Sequence, residues 1–309
     1  ERTRREYLGR VIVMRPIFVE AHMTLSCRLR SMLKHAVMVA SLGLVLAGCV
    51  GAPSPSTRVL DAQALAAQNG WNERIIPAKG FELSAFHPGN FRAGGNLTIY
   101  IEGDGFAWAT GSQPSPDPTP INPVALRLAL AHPAGNAAYL ARPCQYAMSR
   151  GETCSQRYWT NARFAPEVID AMNGAISILK DSFGAGEVVL VGYSGGAAIA
   201  ALVAARRDDV AELVTVAGNL DHAAWTTHHR LSPLSGSLNA ADVARNIAHI
   251  PQTHFIGKQD RVIPPELAQQ WPEAFSGSRQ ENIRIIASFD HGCCWDRDWP
   301  ALLAAQRII

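Results

Sequence analysis

The chain after residue 60 alternates between short apolar runs and longer stretches with a helical rhythm. Seven apolar runs bounded by turn residues predict strands, at residues 81–86, 97–102, 137–141, 187–192, 212–217, 253–257 and 283–287. Helices are predicted at residues 124–131, 166–182, 197–206, 239–248, 265–271 and 299–306. Runs that are apolar without alternation, such as residues 188–191, are typical of strands buried on both faces of a parallel sheet. The pattern predicts one α/β domain over residues 61–309.

One segment of this domain is strongly biased in composition. Residues 113–123 contain five prolines, a density that excludes a helix or a central strand. We expect a stiff loop on the surface.

The first part of the chain has a different pattern. Residues 36–48 carry no charge and directly follow Arg28, Arg30 and Lys34, a basic stretch followed by an apolar one. As a helix these thirteen residues would span roughly 20 Å, which is short of the ~30 Å of a bilayer core. A cleaved signal peptide is therefore favoured over a membrane span.

The end of this apolar stretch, Leu46-Ala47-Gly48-Cys49, resembles the lipobox of bacterial lipoproteins. The resemblance implies that residues 1–48 are a leader, with a signal peptide starting at Met23 or Met32 and upstream residues before it. It also implies a lipid on Cys49, a flexible tether over residues 49–60 and a mature chain of 261 residues. In such lipoproteins an Asp after the cysteine favours the inner membrane, so Val50 favours the outer membrane of a bacterial envelope. The alternative is an ordinary secretory signal in which the cysteine occurs by chance.

The charge balance supports this division. The chain has 28 Lys and Arg against 26 Asp and Glu, but its first 35 residues hold eight basic and three acidic residues, so the remainder carries −3. Charged residues make up only 17% of the chain and hydrophobic residues 48%, which argues against disorder and against a highly charged nucleic-acid-binding protein. The composition gives no basis for a nucleic-acid partner.

A candidate nucleophile lies between a predicted strand and a predicted helix. Residues 192–196, Gly-Tyr-Ser-Gly-Gly, match the pattern G-x-S-x-G. A sharp turn there would present the Ser194 hydroxyl at the carboxyl end of the sheet, with the Gly195 N–H facing a developing oxyanion. The alternative is a glycine-rich turn that only packs closely or holds a phosphate, although neither a dinucleotide fingerprint nor a P-loop is present.

A serine nucleophile needs an imidazole base and a carboxylate to orient that base. His291 follows the last predicted strand after a short loop and lies 97 residues beyond Ser194. Asp260, three residues past the strand at 253–257, is the leading acid, and Asp221, just past the preceding strand, is the alternative. Asp290 is expected to be a local turn residue.

From about residue 81 to the C-terminus, these motifs resemble those of the α/β-hydrolase superfamily. The resemblance implies a mostly parallel central sheet with helices on both faces, and a serine hydrolase acting on small-molecule esters or thioesters without a metal or organic cofactor. It also implies a second oxyanion donor in the loop after an early strand, where the backbone of Asp104 or Gly105 is the candidate. Glu102 and Asp104 otherwise have the polarity expected of a strand end and loop.

Four further cysteines follow Cys49. Cys144 and Cys154 flank a short stretch and are candidates for a disulfide in an oxidising compartment, while Cys293 and Cys294 are adjacent. The sequence leaves all three pairings of the four open.

Histidine and aromatic clusters suggest a pocket more than a metal site. His222, His228 and His229 lie in a segment without metal-ligand spacing, which favours a substrate-facing loop. Four aromatic residues are candidates either for a substrate pocket or for ordinary packing under loops: Trp108, Tyr158, Trp159 and Trp225.

A function of another class is also compatible with these motifs. A lipoprotein of the cell envelope could retain the hydrolase fold for binding or assembly, without catalysis. The complete order of serine, acid and histidine along the chain favours the enzyme.

Overall fold

The seven predicted strands are all present, with ends shifted by at most two residues, and an eighth strand precedes them. The computed structural model describes residues 51–146, 153–277 and 282–306, so the predicted leader and Cys49 lie outside the described residues. The strands are β1 (Trp71–Ala78), β2 (Phe81–Pro88), β3 (Asn96–Ile101), β4 (Asn136–Leu140), β5 (Glu187–Tyr193), β6 (Val210–Val216), β7 (Gln252–Gly257) and β8 (Ile283–Ile286).

The eight strands form one sheet in the order β1-β2-β4-β3-β5-β6-β7-β8. Strand β2 pairs antiparallel with β1 and β4, whereas β4, β3, β5, β6, β7 and β8 are parallel to one another. The predicted mostly parallel α/β sheet is confirmed. Parallel strands bring their carboxyl ends to one edge of the sheet, which is where ligands bind in this class of fold.

The unpredicted strand β1 is an edge strand. Its sequence, WNERIIPA, has three polar residues in a row and a proline, which obscure the alternation expected of a strand. Pro77 is tolerated because β1 pairs only with β2.

Helices cover the sheet and connect its strands. They are α1 (Pro55–Gln68), α2 (Val124–Leu130), α3 (Pro166–Phe183), α4 (Gly195–Ala204), α5 (His222–His229), α6 (Pro265–Ala268), α7 (Glu273–Ser276) and α8 (Trp295–Gln306), with 3-10 turns at Gln156–Trp159 and Ala240–Ile247. The helix expected at residues 239–248 is thus a 3-10 helix. Within the described ranges, no helix has the length and apolarity needed to cross a membrane.

Two hydrophobic clusters lie on opposite faces of the sheet, as the alternation along β3 illustrates. Leu97 and Ile99 belong to a cluster with helices α3 and α4, while Tyr100 belongs to a second cluster with α1, α2 and α8. All ten residues of α4 are buried, in keeping with its almost wholly apolar sequence. The helix that follows Ser194 is therefore held firmly against the sheet.

Helix α1 begins at Pro55, inside the segment predicted to be a flexible tether. The Ser54 side chain accepts a hydrogen bond from the Thr57 N–H at 3.1 Å, and Pro55 is at a helix start where proline fits well. Arg58 is only 4% exposed and donates to the carbonyl oxygens of Asp117 and Thr119. The assignment of residues 55–60 to the tether is therefore wrong.

The proline-rich segment is irregular, as predicted, but much of it is not on the surface. Residues 117–120 are buried. The Arg58 guanidinium lies 3.7 Å from the Asp117 carboxylate, and the Trp159 indole donates to the Ser115 carbonyl at 3.0 Å. Partners distant in sequence thus draw the segment inward and fix the loop beside the carboxyl end of β3.

Candidate functional site

Ser194 occupies the sharp turn between β5 and α4. Its backbone has φ 51° and ψ −119°, a left-handed conformation that is strained for a residue with a side chain. A Cβ atom at Gly196 would overlap the carbonyl oxygens of Ile101 and Glu102, so only glycine lets α4 start this close to the end of β3. Buried neighbours on both sides hold the turn in the conformation that presents the serine hydroxyl.

The imidazole of His291 lies directly beside this hydroxyl. His291 Nε2 is 3.0 Å from Ser194 Oγ, a hydrogen-bonding distance suited to proton transfer. The loop after β8 holds the ring in place, because the His291 carbonyl accepts hydrogen bonds from the Tyr193 hydroxyl and the Trp295 indole, both at 3.1 Å.

Asp260 contacts the other nitrogen of this imidazole. Its Oδ2 lies 2.8 Å from His291 Nδ1, and its Oδ1 accepts hydrogen bonds from the N–H groups of Val262 and Ile263, both at 2.8 Å. The Asp260 side chain is fully buried, so its carboxylate is held in a single orientation. A carboxylate at this position selects the tautomer with the proton on Nδ1 and leaves Nε2 free to accept the serine proton.

The two other aspartates have local structural roles. Asp221 caps the N-terminus of α5, where its Oδ1 accepts from the Ala223 and Ala224 N–H groups. Asp290 accepts from the N–H groups of Gly292 and Cys293, as expected of a turn residue. The structure thus brings together Ser194, His291 and Asp260 and leaves out Asp221.

Two backbone segments near Ser194 are candidates for stabilising an oxyanion. Gly195 begins α4, so its N–H has no helical partner four residues earlier. In the loop after β3, the Gly103 N–H donates to Glu102 Oε1 and the Phe106 N–H to the Pro118 carbonyl. The candidates in that loop are therefore the N–H groups of Asp104 and Gly105.

The side chain of Asp104 forms ion pairs that the sequence did not predict. Its partners are Arg142 and Arg163, whose side chains are each only 4% exposed. Burial alone would raise the pKa of Asp104, but the charges of Arg163 and Arg142 outweigh it and lower this pKa below its ordinary value. A Cβ atom at Gly195 would overlap the Asp104 carboxylate, so the ionic cluster lies against the turn that carries Ser194.

Glu102 is a second buried carboxyl group in the same loop. It is 1% exposed and accepts hydrogen bonds from the Gly103 N–H at 2.9 Å and the Tyr139 hydroxyl at 3.1 Å. Burial raises the pKa of Glu102 to about 7, although these hydrogen bonds oppose the rise. This burial was not predictable from the sequence, because a Glu at a strand end is ordinarily solvated.

A cavity of about 790 Å³ opens above Ser194 and His291. We refer to it as the Ser194 pocket. Trp108 and Trp225 line it, as does the segment 231–234 after α5. Tyr158 and Trp159 do not: Tyr158 packs edge-on against Phe81, and Trp159 is buried. Of the four candidate aromatic residues, two thus face the pocket and two belong to ordinary packing.

The candidate histidines also divide. His222 is buried against Phe164, whereas His229 Nε2 lies 2.8 Å from the Val262 carbonyl. Across the described ranges, no three His, Cys, Asp or Glu side chains are grouped so that they could hold a metal ion.

The cysteines pair in one of the three ways left open. Cys144 and Cys154 form the predicted disulfide, with their Cα atoms 5.5 Å apart, and Cys293 is joined to its neighbour Cys294. The first bridge closes the chain across the segment 147–152, which lies outside the described residues.

The sheet and the carboxyl-end site define an α/β-hydrolase. Residues 132–291, about half of the chain, match the model of the FSH1 serine hydrolase family, and the chain belongs to that family. The match includes Ser194 and Asp260 and ends at His291. The protein is therefore a serine hydrolase.

The chain is similar to solved structures at low sequence identity. The esterase Pf2001 from Pyrococcus furiosus is 15% identical, with a TM-score of 0.50, over 84% of this chain and 93% of its own. Est1E from Butyrivibrio proteoclasticus is 12% identical, with a TM-score of 0.49, over 76% of this chain and 97% of its own. No curated protein sequence matches the chain.

Proposed function

We propose that this hydrolase cleaves carboxylic esters through an acyl-enzyme on Ser194, with His291 as general base and Asp260 as the residue that orients it. The observation that carries the proposal is the chain of hydrogen bonds from Ser194 Oγ to His291 Nε2 at 3.0 Å and from His291 Nδ1 to Asp260 Oδ2 at 2.8 Å. Thioesters are compatible with the same chemistry.

The reaction proceeds in two halves. As Ser194 Oγ attacks the ester carbonyl, His291 Nε2 takes the serine proton, and the buried Asp260 carboxylate stabilises the resulting imidazolium. The N–H of Gly195 and that of Asp104 or Gly105 donate to the oxyanion. The imidazolium then protonates the leaving alcohol, and a water molecule, deprotonated by His291, releases the acid and restores the serine.

A fluorophosphonate probe and p-nitrophenyl acetate test the assignment. We expect the probe to label the wild type but not Ser194→Ala, and the variant to lose several orders of magnitude in kcat. Asp260→Asn should lose about 10³- to 10⁴-fold, because the wrong imidazole tautomer is then favoured.

A matched control is Ser232→Ala, since Ser232 lines the same pocket but is no part of the proposed triad. Equal labelling of Ser194→Ala and wild type would refute the assignment. Absence of labelling and hydrolysis in the wild type would favour the non-catalytic alternative.

We further propose that residues 1–48 are removed and that a lipid on Cys49 anchors the enzyme in the outer membrane of a bacterial envelope. Support comes from the sequence of residues 36–49. With α1 starting at Pro55, the proposed tether covers residues 49–54.

Metabolic labelling with a fatty acid tests the anchor. The wild type should take up label and sediment with membranes, and Cys49→Ala should do neither. Cys27→Ala, which changes a cysteine of the proposed leader, should behave like the wild type. Label retained in Cys49→Ala would contradict the proposed anchor.

A further inference from the structure

The mouth of the Ser194 pocket is lined by exposed apolar side chains. Seven large hydrophobic side chains are exposed within the described residues, and four of them line this pocket: Trp108, Ile121, Leu231 and Val262. We call these four residues the apolar rim. Each is between 40 and 48% exposed. Single exposed apolar residues are ordinary on protein surfaces, but a group around one opening marks a binding site.

The two walls that carry the rim are held by specific contacts. Trp108 and Ile121 lie in the loop after β3, which the buried Arg58 fixes at Thr119. The other wall carries Leu231, in the segment after α5, and Val262, in the Asp260 loop. These two parts are joined because the Trp225 indole of α5 donates to the Val262 carbonyl at 2.9 Å. The rim is therefore a preformed apolar surface.

The charged residues of the pocket lie deeper than the apolar rim. The acidic, basic and histidine side chains that line it are Glu102, Asp104, Arg163 and His291. Glu102 and Arg163 are buried, Asp104 pairs with Arg163, and His291 contacts Ser194. No charged side chain belongs to the rim. The pocket is thus charged where a carbonyl would react and uncharged towards its mouth, where the apolar rim lies beside the exposed polar residues Ser112, Asn122 and Ser232.

A lipid-like ester has a matching arrangement, with a polar carbonyl group at one end of an apolar chain. We propose that the apolar rim binds an unbranched aliphatic chain of about eight carbons or more, so that the substrates are fatty esters; this rests on the ester hydrolysis proposed above. The ester carbonyl lies at Ser194, and the chain runs between the two walls. A cavity of about 790 Å³ has the size of sites that enclose ligands of this kind.

Two series of substrates test the proposal, both kept below the concentrations at which they aggregate. One is p-nitrophenyl esters from acetate to octanoate, and the other is acetate esters of n-alcohols from ethanol to octanol. Full burial of a methylene corresponds to about fourfold in kcat/KM. Because the rim is half exposed, we expect about twofold per methylene in one series or the other, and the series that rises identifies the side of the ester that carries the chain.

A double variant reports on the rim itself. Ile121→Ser with Leu231→Ser removes an apolar side chain from each wall, and both residues are exposed, so folding should be retained. We expect it to lower kcat/KM for the eight-carbon substrate about five- to tenfold and to leave that for p-nitrophenyl acetate within twofold. The control is Leu60→Ser, since Leu60 is 63% exposed and does not line the pocket.

Binding measured without catalysis separates this inference from the proposed function. A fluorescent fatty acid, dansyl-undecanoate, should bind Ser194→Ala and bind more weakly when the two rim substitutions are added. If p-nitrophenyl acetate is hydrolysed but both series are flat and the probe does not bind, the inference is overturned and the ester hydrolase stands. If the rim substitutions weaken binding of the probe but neither hydrolysis nor fluorophosphonate labelling occurs, the proposed ester hydrolysis is refuted. The inference that the rim binds an aliphatic chain is then retained.

Discussion

The ionic cluster around Asp104 predicts a large loss of stability from a small change. Asp104→Asn keeps the size of the side chain but removes the negative charge that pairs with Arg142 and Arg163. Both arginine side chains are only 4% exposed and the Asp104 side chain is 23% exposed, so water can replace the lost partner only in part. Removing one member of a buried ion pair typically costs about 3–5 kcal/mol. For a domain of this size, that corresponds to a fall of roughly 6–20 °C in Tm.

The pH dependence of this loss follows from the lowered pKa of Asp104. A carboxyl group with a lower pKa in the folded chain contributes stability above its unfolded pKa and loses it as the pH falls through the folded value. We therefore expect the difference in free energy of unfolding between wild type and Asp104→Asn to be constant from pH 8 to pH 5. It should shrink below about pH 4.

Urea unfolding followed by circular dichroism measures this difference, with Asp170→Asn as the matched control. Asp170 pairs with Arg206, but the two side chains are 55% and 31% exposed, so the control should lose less than about 1 kcal/mol. A loss from Asp104→Asn as small as that from Asp170→Asn would show that the buried arginines do not depend on the Asp104 charge.

Three further variants have expected outcomes. Glu102→Gln should gain stability relative to the wild type as the pH rises from about 4.5 to 7. The reason is the raised pKa of Glu102, which makes the wild type lose up to roughly 3 kcal/mol over that window. Urea unfolding at pH 5 and pH 8 measures this, and an equal difference in free energy of unfolding between variant and wild type at both pH values would contradict it. Replacing Cys144 and Cys154 together with serine should lower the free energy of unfolding by roughly 2–3 kcal/mol, as measured by urea unfolding under non-reducing conditions. Arg58→Ala should cost about 2–4 kcal/mol, because it leaves the buried Asp117 carboxylate without its cation; an unchanged urea midpoint would count against this anchoring of α1.

Much of the fold could be predicted because its signals are local. Each strand of the parallel part of the sheet is a short apolar run, and such runs are visible without knowledge of their neighbours. Ser194, Asp260 and His291 follow three of these strands within a few residues, so a local motif and the loop positions indicated them, although the sequence left Asp221 open as the alternative acid. The edge strand β1 was missed because only three of its eight residues are buried, and its pattern is correspondingly polar.

What could not be predicted depends on partners far apart in the chain. Asp104 pairs with residues 38 and 59 positions away, and Arg58 reaches residues 59 and 61 positions away. Composition and periodicity describe neighbours within a turn of helix or a strand and carry no information on such pairings. The buried charges, the inward course of the proline-rich segment and the early start of α1 all follow from these contacts.

The carboxyl groups of Glu102 and Asp104 hold the loop after β3 in place beside the glycine-rich turn at Ser194. A backbone N–H that is to stabilise an oxyanion must be free of other acceptors, so the loop that carries it cannot be held by a ladder of backbone hydrogen bonds. Here the side chains hold it instead: Glu102 binds the Gly103 N–H and the Tyr139 hydroxyl, and Asp104 binds two buried arginines. The acidic residues on either side of Gly103 thus fix the loop and leave the N–H groups of Asp104 and Gly105 as candidates to face the substrate. In this chain, polarity at a strand end is part of the mechanism that positions the candidate oxyanion donors.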